Sequence, residues 1–186
     1  LSGAVGANLG GTPVICGGYL GSSVYTEKCF RFTNSAWEEF ASMKKKRDWA
    51  AAVMHNDKLH VFGGDSGSSI LQTTETINVD GEVRYGPDLP TAVDEHAMTA
   101  INDTFSLLSG GTTDADTYSA KTWYYNHDTE AFTSGPDLLE GRRRHGSAMN
   151  VDQVTKAKIA VVAGGWNGNG KRMDSTEMLI NGQWQT

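Results

Sequence analysis

Leu59-His60-Val61-Phe62-Gly63-Gly64 is a short apolar run closed by two glycines, and its recurrence decides the fold. The same ending returns in Val14-Ile15-Cys16-Gly17-Gly18, in Phe105-Ser106-Leu107-Leu108-Ser109-Gly110-Gly111 and in Ile159-Ala160-Val161-Val162-Ala163-Gly164-Gly165. The steps between the first glycines are 46, 47 and 54 residues. Other features keep phase with the pairs. Asn8, Asn56, Asn102 and Asn150 precede the runs where a tight turn is expected, and a bulky apolar residue (Trp37, Val83, Phe132, Trp184) follows each first glycine by 20 to 22 residues. A fixed period of this size marks tandem supersecondary units.

Each unit reads as four short strands. The first is small and alternating, as in Ala50 to Met54 or Ala97 to Ile101; the second is the apolar run; the third is of the type Thr74-Glu75-Thr76-Ile77-Asn78-Val79; the fourth opens at the bulky residue. Asp80-Gly81 and Asn181-Gly182 precede the fourth strand in units two and four, and such pairs supply the positive φ angles of a two-residue hairpin. No stretch sustains a 3.6-residue apolar period, so no long helix is expected. The extra residues of unit four fall between Asn150 and Lys158, in a hairpin loop that tolerates insertion.

Tandem four-stranded units of this length predict an all-β protein, a β-propeller with four blades of four antiparallel strands. The apolar run with its Gly-Gly, the aromatic downstream and a segment such as Arg47-Asp48-Trp49-Ala50-Ala51 together resemble the kelch repeat over essentially the whole chain. Val83 replaces the aromatic in unit two, and Asp94-Glu95 stands where the repeat has a basic residue in unit three. The expected organisation is a single domain over residues 1–186, with repeats at about 1–45, 46–92, 93–140 and 141–186. The ring is either closed at four blades or part of a larger one, six blades being common in kelch domains. A start without Met and an abrupt stop favour the larger ring, which would leave open strand edges able to self-associate.

Cys16 and Cys29 are the two cysteines of the chain. Aligning the units on Gly-Gly and on Glu27, Glu75 and Glu177 puts Cys16 with Phe62, Ser109 and Ala163, and Cys29 with Ile77, Trp123 and Leu179. Cys16 and Cys29 then face each other on adjacent strands, close enough for a disulfide. The alternative is a pair of reduced, buried thiols acting as small hydrophobes. A persistent bridge belongs to an oxidising compartment, so the pair points to secretion, with a cytoplasmic location as the alternative. The sequon Asn102-Asp103-Thr104, set at a hairpin turn, agrees with secretion. The cysteine placement also resembles that of secreted invertebrate kelch-repeat proteins.

Function on repeat scaffolds sits on the loops of one face. The loops between second and third strands contribute Tyr19 and Ser22, Asp65, Asp114 and Asp116, and Trp166, Asn167, Lys171 and Arg172. The connections between units contribute Lys44-Lys45-Lys46-Arg47, Asp94-Glu95-His96 and Arg142-Arg143-Arg144-His145. Arginine forks suit carboxylate or sulfate, and Tyr19 and Trp166 offer flat apolar surfaces. Arg47 and Arg144 occupy positions at which the resemblance implies ligand contact. The expected ligand-binding residues are therefore Arg47, Arg144, His96, Tyr19, Trp166 and Asp65.

Composition narrows the function classes. With 38% hydrophobic and 20% charged residues the chain folds as a globular domain, and no apolar run reaches the length of a membrane span. A net charge of −6 argues against nucleic acid as a general partner. The five histidines show no pair at metal-ligand spacing, so no metal site and no cofactor is expected. The reading is a non-catalytic binding module for a protein or an anionic glycan. The alternative is a carbohydrate-active kelch enzyme of the sialic-acid mutarotase or galactose oxidase kind, although no copper-ligand set of the oxidase is found here.

Overall fold

The computed structural model describes residues 1–113, 118–151 and 155–186. Among these the regular structure is all β, with no helix. The chain divides into two compact units, Leu1–Asp94 and Glu95–Thr186, each holding two of the sequence repeats.

In the first unit, repeat one comprises β1 (Val5–Leu9), β2 (Thr12–Cys16), the short hairpin strands β3 (Tyr19–Gly21) and β4 (Val24–Tyr25), then β5 (Lys28–Thr33) and β6 (Ala36–Ser42). Strands β1, β2, β5 and β6 form one antiparallel meander. Repeat two forms a second meander from β7 (Ala51–His55), β8 (Lys58–Phe62), β9 (Thr74–Asn78) and β10 (Val83–Tyr85). In the second unit, repeat three gives β11 (Ala97–Ala100), β12 (Phe105–Ser109), β13 (Thr122–Asn126) and β14 (Ala131–Ser134). Repeat four begins with β15 (Arg142–Arg143), β16 (Gly146–Val151) and β17 (Lys158–Ala163), followed by β18 (Trp166–Asn167), β19 (Thr176–Ile180) and β20 (Gln183–Gln185). Its meander is β16-β17-β19-β20, and β15 pairs separately with β18. Within each unit the first strands of the two meanders lie side by side, β1 with β7 and β11 with β16. Four such sheets are consistent with a β-propeller-like fold.

Alternation along the strands builds the cores. Val5, Leu9, Val14, Ala41 and Met43 of the first meander pack with Leu59, Val61 and Ile77 of the second. In the second unit Leu107, Leu138, Ala160, Val162 and Trp184 form the buried cluster, and the Trp184 indole donates to Pro136 O at 2.9 Å.

Turn chemistry follows the sequence in part. Asn34-Ser35, Asn56-Asp57 and Asn181-Gly182 all have positive φ and close two-residue hairpins. Asn8 and Asn150, expected at turns, lie inside β1 and β16 instead; the first hairpin turns at Gly10-Gly11. Asp80-Gly81 is part of a longer loop, because the Asn78 side chain accepts from the backbone N–H groups of Asp80 and Glu82 and draws the turn around itself. The insertion of repeat four separates β16 from β17, and residues 152–154 of it lie outside the described residues.

Cys16 and Cys29 are bonded, S–S 2.08 Å, as directly opposed residues of β2 and β5. The residues at the equivalent place in the other repeats differ from those expected. Register pairs Phe62 with Thr74, Ser109 with Thr122 and Ala163 with Thr176, so Cys29 corresponds to Thr74, Thr122 and Thr176. Glu27 is not the counterpart of Glu75, since the first glycine of each pair donates to Lys28, Thr73, Lys121 and Ser175 respectively, and this hydrogen bond sets the third strand.

Candidate functional site

The connections entering each repeat are tied to the glycine pairs. The second glycine of a pair donates to the carbonyl of Arg47, Val93 or Arg142, so these three residues are structurally equivalent. Arg142, not Arg144, is therefore the counterpart of Arg47.

Arg47 is not presented to a ligand. Its side chain is 1% exposed, and Nη2 meets Glu75 Oε1 at 2.7 Å. Nη1 donates to Gly63 O at 2.5 Å and Thr73 O at 3.0 Å, while Glu75 accepts the Lys44 and Lys45 backbone N–H groups. Burial pulls the guanidinium below its ordinary pKa, and Glu75 opposes that pull. Repeat four repeats the arrangement. Arg142 Nη2 lies 2.5 Å from Glu177 Oε1, Nη1 donates to Gly164 O and Ser175 O, and Glu177 accepts from Leu139 N and Glu140 N. Each pair fastens a connection to the third strand of its repeat. In repeat three the equivalent positions carry Val93 and Trp123, so both halves of the ion pair are replaced by apolar residues together.

In the second unit two partly exposed arginines, Arg143 and Arg144, gather around Glu95. Glu95 and Arg144 follow the connection residues at positive φ, 53° and 52°, and Arg144 N donates to Glu95 O at 2.9 Å. The Glu95 carboxylate is 5% exposed and accepts from Arg143 Nη1 at 2.8 Å, from Arg144 Nε at 2.7 Å and Nη2, and from Thr112 Oγ1 at 3.2 Å. One carboxylate thus holds two guanidiniums that remain 26% and 41% exposed. The Arg143 guanidinium lies 4.4 Å over the Tyr118 ring. Arg143 also pairs through its backbone with Trp166, whose ring carries the Arg172 guanidinium at 5.3 Å. The described side chains of this patch include three guanidiniums, those of Arg143, Arg144 and Arg172, and the buried Glu95 carboxylate. The planar fork of an arginine matches the geometry of a carboxylate or sulfate group.

His96 and His145 stand just inside this patch, each directly following the positive-φ residue, and both are buried. His145 Nε2 lies 3.0 Å from Ser109 Oγ. Burial, with Arg142 as the second cause, lowers the His145 pKa to about 4, so the ring is neutral at pH 7. His96 is an interior residue and not the surface contact expected from sequence.

In the first unit Tyr19 and Asp65 occupy the places equivalent to Trp166. Tyr19 packs on Tyr25 at 5.2 Å and accepts Ser23 N at 3.1 Å. Asp65 pairs through its backbone with Asp48, and its Oδ1 accepts Gly67 N at 2.8 Å, which closes its own loop. Asp114 and Asp116 lie outside the described residues. Of the expected residues, Arg144 and Trp166 share the second unit's patch. Sequence reading named Arg143, Arg144 and Glu95 in their connecting segments but missed Glu95 as the residue that holds the two arginines. The signal lay in three consecutive arginines following an acidic connection one repeat earlier.

No protein-family model matches the chain. Over 119 residues it is 30% identical to spermatocyte protein spe-26 of Caenorhabditis elegans, an alignment covering 63% of this chain and 20% of that protein. The aligned region spans only a fifth of the relative's length.

Proposed function

We propose that this chain is a kelch-type β-propeller module, non-catalytic, that recognises an anionic group on a glycan or protein partner. The observation that carries the reading is the buried Glu95 carboxylate holding two partly exposed arginines, one of which lies over the Tyr118 ring. Fixing Arg143 and Arg144 before a ligand arrives reduces the ordering cost of binding. The four meanders and their repeated glycine pairs support the kelch reading of the fold.

Extracellular residence is the proposed location. It is supported by the Cys16–Cys29 bridge and by Asn102, an exposed sequon residue. The Asn102 Oδ1 accepts from Thr104 N and Phe105 N.

The test is a screen of sulfated and sialylated glycans beside acidic peptides, comparing the wild type with Arg143→Ala and Arg144→Ala. Loss of one hydrogen-bonded guanidinium is expected to weaken the anionic hit about 10- to 100-fold. Binding indifferent to both substitutions refutes the site. Turnover of a sugar by the wild type would establish the carbohydrate-active enzyme instead.

A further inference from the structure

The β3–β4 hairpin of the first unit carries exposed apolar side chains that the proposed anion site does not use. Leu20 is 59% exposed and Val24 49%. They sit beside a tip formed by Ser22 and Ser23, both at positive φ, while β3 and β4 form a separate two-stranded sheet. The base of the hairpin is anchored. Tyr19 bridges through its backbone to Ser2, packs at a tilt against Tyr25 and accepts Ser23 N, while the Tyr25 ring lies against Gly67 and leaves no room there for a Cβ. Lys46 Nζ lies 5.7 Å from the Tyr25 ring centroid. Lys44, Lys45 and Lys46 are all exposed and form no salt bridge among the described residues.

From this arrangement we infer that the hairpin is a membrane-surface contact, inserting Leu20 and Val24 into the interface of an anionic phospholipid bilayer. Three kinds of side chain meet at this hairpin: the exposed aliphatic Leu20 and Val24 flanking the serine tip, the tyrosines at its base, and the Lys46 ammonium beside the Tyr25 ring. Aliphatic, aromatic and cationic groups together are what a bilayer interface accepts, through acyl chains, the aromatic-favouring boundary and phosphate. The exposed lysines bring positive charge for phospholipid phosphates to this hairpin in a chain whose net charge is −6. An exposed hairpin tip suits a lipid surface better than a peptide, which needs a groove to bury its side chains. The contact is peripheral, consistent with the absence of any helix long and apolar enough to cross a membrane among the described residues. It uses none of the arginine patch, so the two proposals stand or fall separately.

The test is flotation of the full chain with phosphatidylcholine vesicles with and without phosphatidylserine. Binding is expected only with phosphatidylserine and is expected to fall as salt rises. Lys46→Gln should weaken it about fivefold, and Lys44→Gln, Lys45→Gln and Lys46→Gln together by more than about tenfold. Leu20→Ser with Val24→Ser should abolish it while thermal unfolding stays unchanged, because both side chains are exposed. Trp37→Ser, which alters an exposed aromatic side chain outside the hairpin, should have no effect. Equal binding to neutral vesicles, no binding to either kind, or indifference to the Leu20 and Val24 changes overturns the inference. Capture on polyglutamate without vesicle binding also overturns it and assigns the lysines to an acidic protein.

Discussion

Arg47 shows how an arginine in a basic connection becomes a structural residue. Its guanidinium is spent on Glu75 and two carbonyls in the interior. Arg47→Ala strands the Glu75 carboxylate and should cost about 3–5 kcal/mol in urea unfolding, whereas Arg47→Val with Glu75→Trp, the residues found at these positions in repeat three, should cost far less. Equal losses in the single and double variants would contradict this reading. The partner was not legible from sequence because Glu75 lies 28 positions beyond Arg47, and because a run of three arginines and the insertion in repeat four disguised Arg142 as its equivalent. His145 gives a second prediction at this scale. Its pKa is about 4 in the fold against an ordinary 6.5. The stabilisation is complete above about pH 6.5 and is lost as pH falls toward 4, a change of about 3 kcal/mol. His145→Gln should flatten the denaturant midpoint over that interval; an unchanged slope would assign the acid sensitivity elsewhere.

At the scale of elements, the repeated glycine pairs and the alternation of the strands were readable because they answer local demands. Gly64 has φ +96°, and a Cβ there would lie 2.6 Å from Asp48 O, so the second glycine of the pair admits no side chain. Gly64→Ala should destabilise by about 2 kcal/mol or more in thermal unfolding, while Gly170→Ala, at φ +67° with open space around it, should cost less. Strand register was less legible. The pairing of Cys16 with Cys29 is as expected, but their equivalents in the other repeats are threonines facing Phe62, Ser109 and Ala163, because register follows the glycine N–H hydrogen bonds and not a shared glutamate. Closing a 13-residue separation, the bridge should contribute about 3 kcal/mol. Denaturant unfolding with and without reductant measures this, and an unchanged midpoint after full reduction would contradict it.

For the molecule as a whole, composition conceals the chemistry. A net charge of −6 is distributed so that one carboxylate, Glu95, holds two partly exposed arginines, one of them over the Tyr118 ring. The connecting segments could be found from the repeat, but the division of their cations could not: Arg47 and Arg142 go inside, while Arg143 and Arg144 remain at the surface. That division depends on which glutamate each guanidinium reaches, and those contacts span 28 to 49 residues of chain. Binding through exposed forks should weaken between low and physiological salt. The most direct measurement is titration calorimetry of the strongest anionic ligand from the screen against wild type, Arg144→Ala and Arg47→Lys. A loss of about tenfold or more for Arg144→Ala, with near-normal affinity in Arg47→Lys protein that remains folded, is the expected result. Wild-type affinity in Arg144→Ala, or loss confined to Arg47→Lys, would contradict recognition at the Glu95 patch.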